Sequence, residues 1–150
     1  MESNVFTAFL VKAKKNTYAA GKNKVEPLRP DTIDLAFEEG GYSYRDSYYG
    51  NTCFSGQEVV YKNGKPFWSM NYYGKILKAD IPAGTVETLK EALMLVDESS
   101  PFRGPGHHMR GDFEYKCRCR GTVEFFHGVE NILHKGKEVY KLFFHGGMLE

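Results

Sequence analysis

The sequence predicts an α+β fold: two αβββ repeats, approximately residues 3–77 and 84–149, forming a largely antiparallel, curved sheet of about six strands with two helices packed on one face. Three observations predict it. First, "GQEVVYKNGKPFWSMNYYGKIL" (56–77) and "GVENILHKGKEVYKLFFHGGML" (128–149) align without a gap, sharing Gly56/Gly128, Glu58/Glu130, Gly64/Gly136, Lys65/Lys137, Gly74/Gly146 and Leu77/Leu149. Second, "YSYRDSYYG" (42–50) and "FEYKCRCRG" (113–121) both alternate and precede those segments at matching distance. Third, an apolar stripe at helical spacing precedes each strand set.

In chain order, Val5, Phe6, Phe9, Leu10 and Ala13 form the first stripe. Ser3 supplies an N-cap and Gly21 a stop. Residues 21–36, with two prolines, are expected to be irregular. The strand at 42–50 carries Tyr42, Tyr44, Asp46 and Tyr48 on one side, and Ser43, Arg45, Ser47 and Tyr49 on the other. Residues 56–77 form a hairpin around Asn63-Gly64, where both positions can take positive φ. Pro66 lacks an N–H and is expected at a sheet edge or an unpaired position. Thr85 is the expected N-cap of the second helix, with Glu87 in its first turn and Val86, Leu89, Leu93 and Val96 as its stripe. Residues 98–111 are expected to be a Pro/Gly loop. The second hairpin turns at Lys135-Gly136. Trp68, Met70, Tyr72, Tyr140, Leu142 and Phe144 are assigned to the helix-facing rows. Phe67, Tyr73, Phe143 and His145 are assigned to the opposite face.

The chain has 150 residues, enough for a single domain with an ordinary core. Twenty basic and nineteen acidic residues leave net charge +1, so no global field draws it to nucleic acid or anionic lipid. The lysines of "VKAKKNTYAAGKNK" read as a solvated face or as a local nucleic-acid contact. Direct nucleic-acid binding is not expected. No leader pattern and no apolar run of roughly 18 residues is present, so no membrane association is expected. Cys117 and Cys119 sit two apart on a strand, poorly placed to bridge. Reduced thiols and a cytoplasmic location are the expectation.

No phosphate loop, dinucleotide glycine pattern, nucleophile elbow or zincin motif occurs, so no catalytic residue and no cofactor is assigned. No metal is assigned either, because Cys117-x-Cys119 has no matching second pair. The candidate ligand-binding residues are Tyr42, Tyr44, Asp46, Tyr48, Glu58, Trp68, Asn71, Tyr72, Arg103 and His145. Asp46 stands in an aromatic row, where an ionised carboxylate is costly unless paired. It reads either as a structural hydrogen-bond acceptor or as the polar anchor of an aromatic pocket. Glu58 and Glu130 occupy matching places and would face each other near a pseudo-two-fold axis, or support the turns after Gly56 and Gly128. Arg103, in "PFRGP", covers a pocket mouth, grips an anion, or is solvated.

"DLAFEEGGYSYRDSYYGNTCFSGQEVVYKNGKPFWSMNYYGKIL", "PFRGP" and "GKEVYKLFFHGGML" resemble a bacterial family of domains of unknown function, over nearly the whole chain. Its members occur alone and C-terminal to XRE-type helix-turn-helix domains. The resemblance implies a regulatory, ligand-sensing role and carries no catalytic assignment. Three readings follow. The first is a domain binding a small, partly aromatic or cationic molecule of unknown identity. The second is an enzyme using Asp46 or His145 as general base in the same pocket. The third is an interaction module that forms a homodimer through the Phe67/Tyr73/Phe143 face.

Overall fold

The structure, a computed structural model, describes residues 2–150. Two helices, α1 (Glu2–Lys15) and α2 (Thr85–Met94), lie against one antiparallel sheet. Its strands are β1 (Lys24–Val25), β2 (Ile33–Glu39), β3 (Tyr42–Gly50), β4 (Cys53–Lys62), β5 (Lys65–Ile76), β6 (His107–Arg110), β7 (Phe113–Thr122), β8 (Phe125–His134) and β9 (Lys137–Met148). The spatial order is β1-β2-β3-β4-β5-β9-β8-β7-β6.

This corrects the expected architecture: the sheet has nine strands, not about six in two αβββ units. β1 and the start of β2 fall within the stretch expected to be irregular. β2 pairs with β3 from Ile33↔Tyr48 to Glu39↔Tyr42. Its turn, Gly40-Gly41, has φ of 60° and 84°, a pair that joins two strands tightly because glycine pays no Cβ penalty there. β6 occupies part of the expected Pro/Gly loop and pairs with β7 through His108↔Tyr115. Each half is thus a meander, and the two meanders join at β5 and β9.

The central register follows the sequence repeat. Tyr72 lies opposite its own counterpart Phe144, and Trp68 and Ile76 lie opposite Met148 and Tyr140. Asp46↔Glu58 on β3 and β4 corresponds to Cys117↔Glu130 on β7 and β8. The register shifts at Val60/Tyr61 and Ile132/Leu133 also match. Pro66, beside the first shift, is tolerated where the ladder is already broken.

α1 lies on β2 and β3, α2 on β7 and β8, and the helices touch each other. Phe6, Phe9, Leu10 and Ala13 meet Leu89, Ala92 and Leu93 over Trp68, Met70, Tyr72, Tyr140, Leu142 and Phe144. Trp68 stacks on Phe126 at 5.7 Å, and its Nε1 donates to the Val123 carbonyl at 3.0 Å. Burying one such aromatic stabilises the fold by about 1.5–3 kcal/mol.

Three local expectations change. Ser3 lies inside α1, where its carbonyl accepts from the Thr7 hydroxyl at 2.8 Å. The N-cap of α2 is Gly84, with φ 101°, and Thr85 instead donates to the Pro82 carbonyl at 2.7 Å. Phe67 turns inward at the register shift to meet Phe6 at 5.2 Å, which leaves Tyr73 and Phe143 half exposed on the far face.

Candidate functional site

β3 and β4 place Asp46 and Glu58 side by side on the helix-facing side of the sheet. Both are almost wholly buried. They differ in how they are satisfied. The Tyr44 hydroxyl donates to Glu58 at 2.7 Å, and Lys14 Nζ donates to the same carboxylate at 2.7 Å. Lys14 also donates to the Phe102 carbonyl at 2.6 Å. Its place follows from the α1 stripe, since residue 14 is one turn beyond Leu10. Burial pulls the Lys14 pKa below the usual lysine range, and Glu58 opposes the fall.

The second half repeats this arrangement with an arginine. Arg103 Nη2 and Nε donate to Glu130 at 2.8 and 3.0 Å, a two-pronged grip that suits the planar guanidinium. Tyr115 and Tyr140 donate to Glu130 as well, the latter at 2.7 Å. Gly104 brings its N–H within 2.9 Å of the Tyr115 hydroxyl. A Cβ there would meet the Tyr115 ring at 2.7 Å, so glycine is required by space. Burial lowers the Arg103 pKa, but Glu130 and the surrounding phenols outweigh it and hold the group well above its ordinary value.

Asp46 has no equivalent in the second half, where Cys117 stands. Its Oδ1 accepts from the Tyr72 hydroxyl at 2.6 Å. Oδ2 takes no hydrogen bond from the described residues and is not among the buried atoms cut off from a partner, so it faces solvent at the cleft wall. Burial pushes the Asp46 pKa up to about 7; Glu58 adds to the rise, while the Tyr72 hydrogen bond, Arg103 and Lys14 oppose it. Tyr72 can reach Asp46 because residue 56 is glycine: a Cβ at Gly56 would sit 2.3 Å from the Tyr72 hydroxyl.

Asp46 opens onto a cleft of about 630 Å³ between the sheet and α2, within the size range of small-molecule sites. Tyr48, Phe54, Tyr72, Ile76, Leu89 and Tyr140 wall it, and Arg103 reaches it from the loop after α2. Ile81 and Val86 line it while staying 42% and 43% exposed. A cavity of about 30 Å³, roomy enough to hold water, links Lys14, Asp46, Glu58 and Arg103 on the other side of the carboxylate.

The ten residues singled out from sequence therefore divide. Asp46, Tyr48, Tyr72 and Arg103 line the cleft. Glu58 and Tyr44 lie behind Asp46. Tyr42 and Trp68 are core residues, with Tyr42 stacked on Phe9 at 5.1 Å. Asn71 and His145 pair with each other on the opposite face, beside a shallower groove of about 490 Å³. His145 thus shares no pocket with Asp46. Lys14, Phe54 and Tyr140 were not anticipated. The spacing from Leu10 marks Lys14 as facing inward, and the repeat marks Tyr140 as the counterpart of Trp68.

No curated protein and no solved structure matches this chain. A family model described as "Domain of unknown function (DUF5680)" matches residues 46–149. That span begins at Asp46, takes in Glu58, Tyr72, Arg103 and Glu130, and covers well over half of the sequence, so the chain belongs to the DUF5680 family.

Proposed function

We propose that the chain is a small-molecule-binding domain of the sensing, regulatory type, with the cleft beside α2 as its site. The observation that carries this reading is Asp46, 5% exposed, with one oxygen held by Tyr72 and the other without a donor at the wall of an aromatic cleft. An oxygen that faces the cleft and is bonded by no protein group is open to a donor on a ligand in place of water. Rings supply contact area, and one fixed carboxylate supplies orientation. The test is a thermal-shift screen of a broad metabolite and cation library. At least one compound is expected to raise the melting temperature of the native chain and to lose that effect in Asp46→Asn. No stabilisation by any compound overturns the reading.

A second reading is favoured by the pKa near 7: a carboxylate poised there can take a proton at neutral pH and serve as general base. Incubating screen hits with the protein and weighing them by mass spectrometry separates the two. Unchanged hits support binding alone. A hit converted by the native chain and left intact by Asp46→Asn supports an enzyme.

A further inference from the structure

The buried charges on the helix-facing side do not balance. Three carboxylates stand there, Asp46, Glu58 and Glu130, against two cations, Lys14 and Arg103. The cations are spoken for. Arg103 forks onto Glu130, and Lys14 bridges Glu58 and the Phe102 carbonyl. The cleft therefore offers an anionic ligand no uncommitted positive charge. It offers a cation one carboxylate oxygen without a donor.

Resting on the reading of the cleft as a small-molecule site, we propose that its ligand is a monocationic amine with an aromatic or apolar body, whose ammonium group meets Asp46. One positive charge is the number that neutralises the set. The groups facing Asp46 from each neighbouring element are consistent with this. β4 presents Glu58, β5 presents the Tyr72 hydroxyl, and α1 presents Lys14. The turn after α1 presents Tyr18, the loop after α2 presents Arg103, and β3 itself presents Tyr48. β2 contributes Leu35, and α2 contributes Thr85, Val86 and Leu89, none of them charged. Arg103 already lies over the Tyr72 ring at 5.7 Å and Lys90 over the Tyr18 ring at 5.3 Å, so it is the Tyr48 ring whose face is offered to a ligand cation. The exchange balances simply: the ammonium arrives with its charge, and the carboxyl proton leaves to solvent.

The experiment is calorimetric titration of the full chain with three matched series: 2-phenylethylamine and tryptamine, their alcohol counterparts, and their carboxylate counterparts. The amines are expected to bind more tightly than either other series. Below the Asp46 midpoint near 7, their affinity should fall about tenfold per pH unit, with up to one proton released per amine, read from the dependence of heat on buffer ionisation. Asp46→Asn should weaken the amines by at least about tenfold and change the alcohols by less than about twofold. Alcohols or carboxylates binding as tightly as the amines overturn this inference and leave the cleft reading standing. So does amine binding indifferent to pH and to Asp46→Asn. Silence from all three series overturns this inference, while the cleft reading falls only if the broad library screen is silent as well.

Discussion

Asp46 and Cys117 occupy matching places in two matching registers, and that single difference leaves the polar core one carboxylate in excess. The alternating row "YSYRDSYYG" makes the oddity visible in sequence. What it does not reveal is which partner each carboxylate takes. The sequence left Arg103 as a pocket cover, an anion-gripping group or a solvated side chain; it grips an anion, and that anion is the protein's own Glu130. Lys14 reads among five lysines as solvent-facing, although its spacing from Phe6 and Leu10 sets it on the buried stripe. Two predictions belong here. The folded-state pKa of Asp46 lies above its ordinary value of 3.8, so the neutral form is the favoured one in the fold. Its contribution to stability is full below 3.8 and is lost as pH rises to about 7. Asp46→Asn is therefore expected to unfold like the native chain under acid conditions and to become the more stable protein above neutrality, in paired denaturant titrations across pH. Arg103→Ala strands Glu130 in the core and should cost about 3–5 kcal/mol; Arg103→Lys should recover only part of it, since an ammonium cannot make the fork. Chemical denaturation of the three proteins measures both.

Elements were legible where the two-residue period was long and clean, as in β3, β5, β7 and β9. β2 also alternates, with Ile33, Leu35 and Phe37 against Asp34, Ala36 and Glu38, and a Gly-Gly turn follows it. The prolines and charges before it obscure that signal. β6 is four residues long and mostly polar, too short for a period to show. Turn chemistry yields a prediction from the repeat. Asn63 and Lys135 hold the same left-handed position, with φ of 49° and 51°. Asparagine tolerates that region better than lysine, so Lys135→Asn should stabilise the protein by about 0.5 kcal/mol, seen as a higher denaturation midpoint with unchanged slope. Gly56→Ala puts a methyl group where the Tyr72 hydroxyl lies and should cost about 1–3 kcal/mol. It should also raise the Asp46 midpoint further, because the Tyr72 hydrogen bond favours the ionised carboxylate and holds that midpoint down. A merely local clash would leave that midpoint in place.

At the scale of the molecule, two meanders meet at β5 and β9, and the helices cover the side on which every buried charged pair near the junction lies. The sequence repeat makes Tyr72 and Phe144 equivalent, and the structure pairs these counterparts at the junction. Alternation within β5 and β9 already sets Asn71 and His145 on the row opposite Tyr72 and Phe144; what it did not reveal is that Asp46 shares the Tyr72 side, so that His145 and Asp46 line different pockets. The far face carries Tyr73 and Phe143 half exposed, while no described helix is long and apolar enough to cross a membrane. The central claim is that Asp46 is an unmatched buried carboxylate held at the wall of a ligand cleft. Carboxyl-carbon NMR of the full chain, labelled at aspartate and assigned by comparison with Asp46→Asn, reads it most directly. A titration midpoint near 7 for Asp46, moving downward when a cationic ligand is added, is the predicted result. A midpoint in the ordinary aspartate range near 4, unmoved by any ligand, contradicts it.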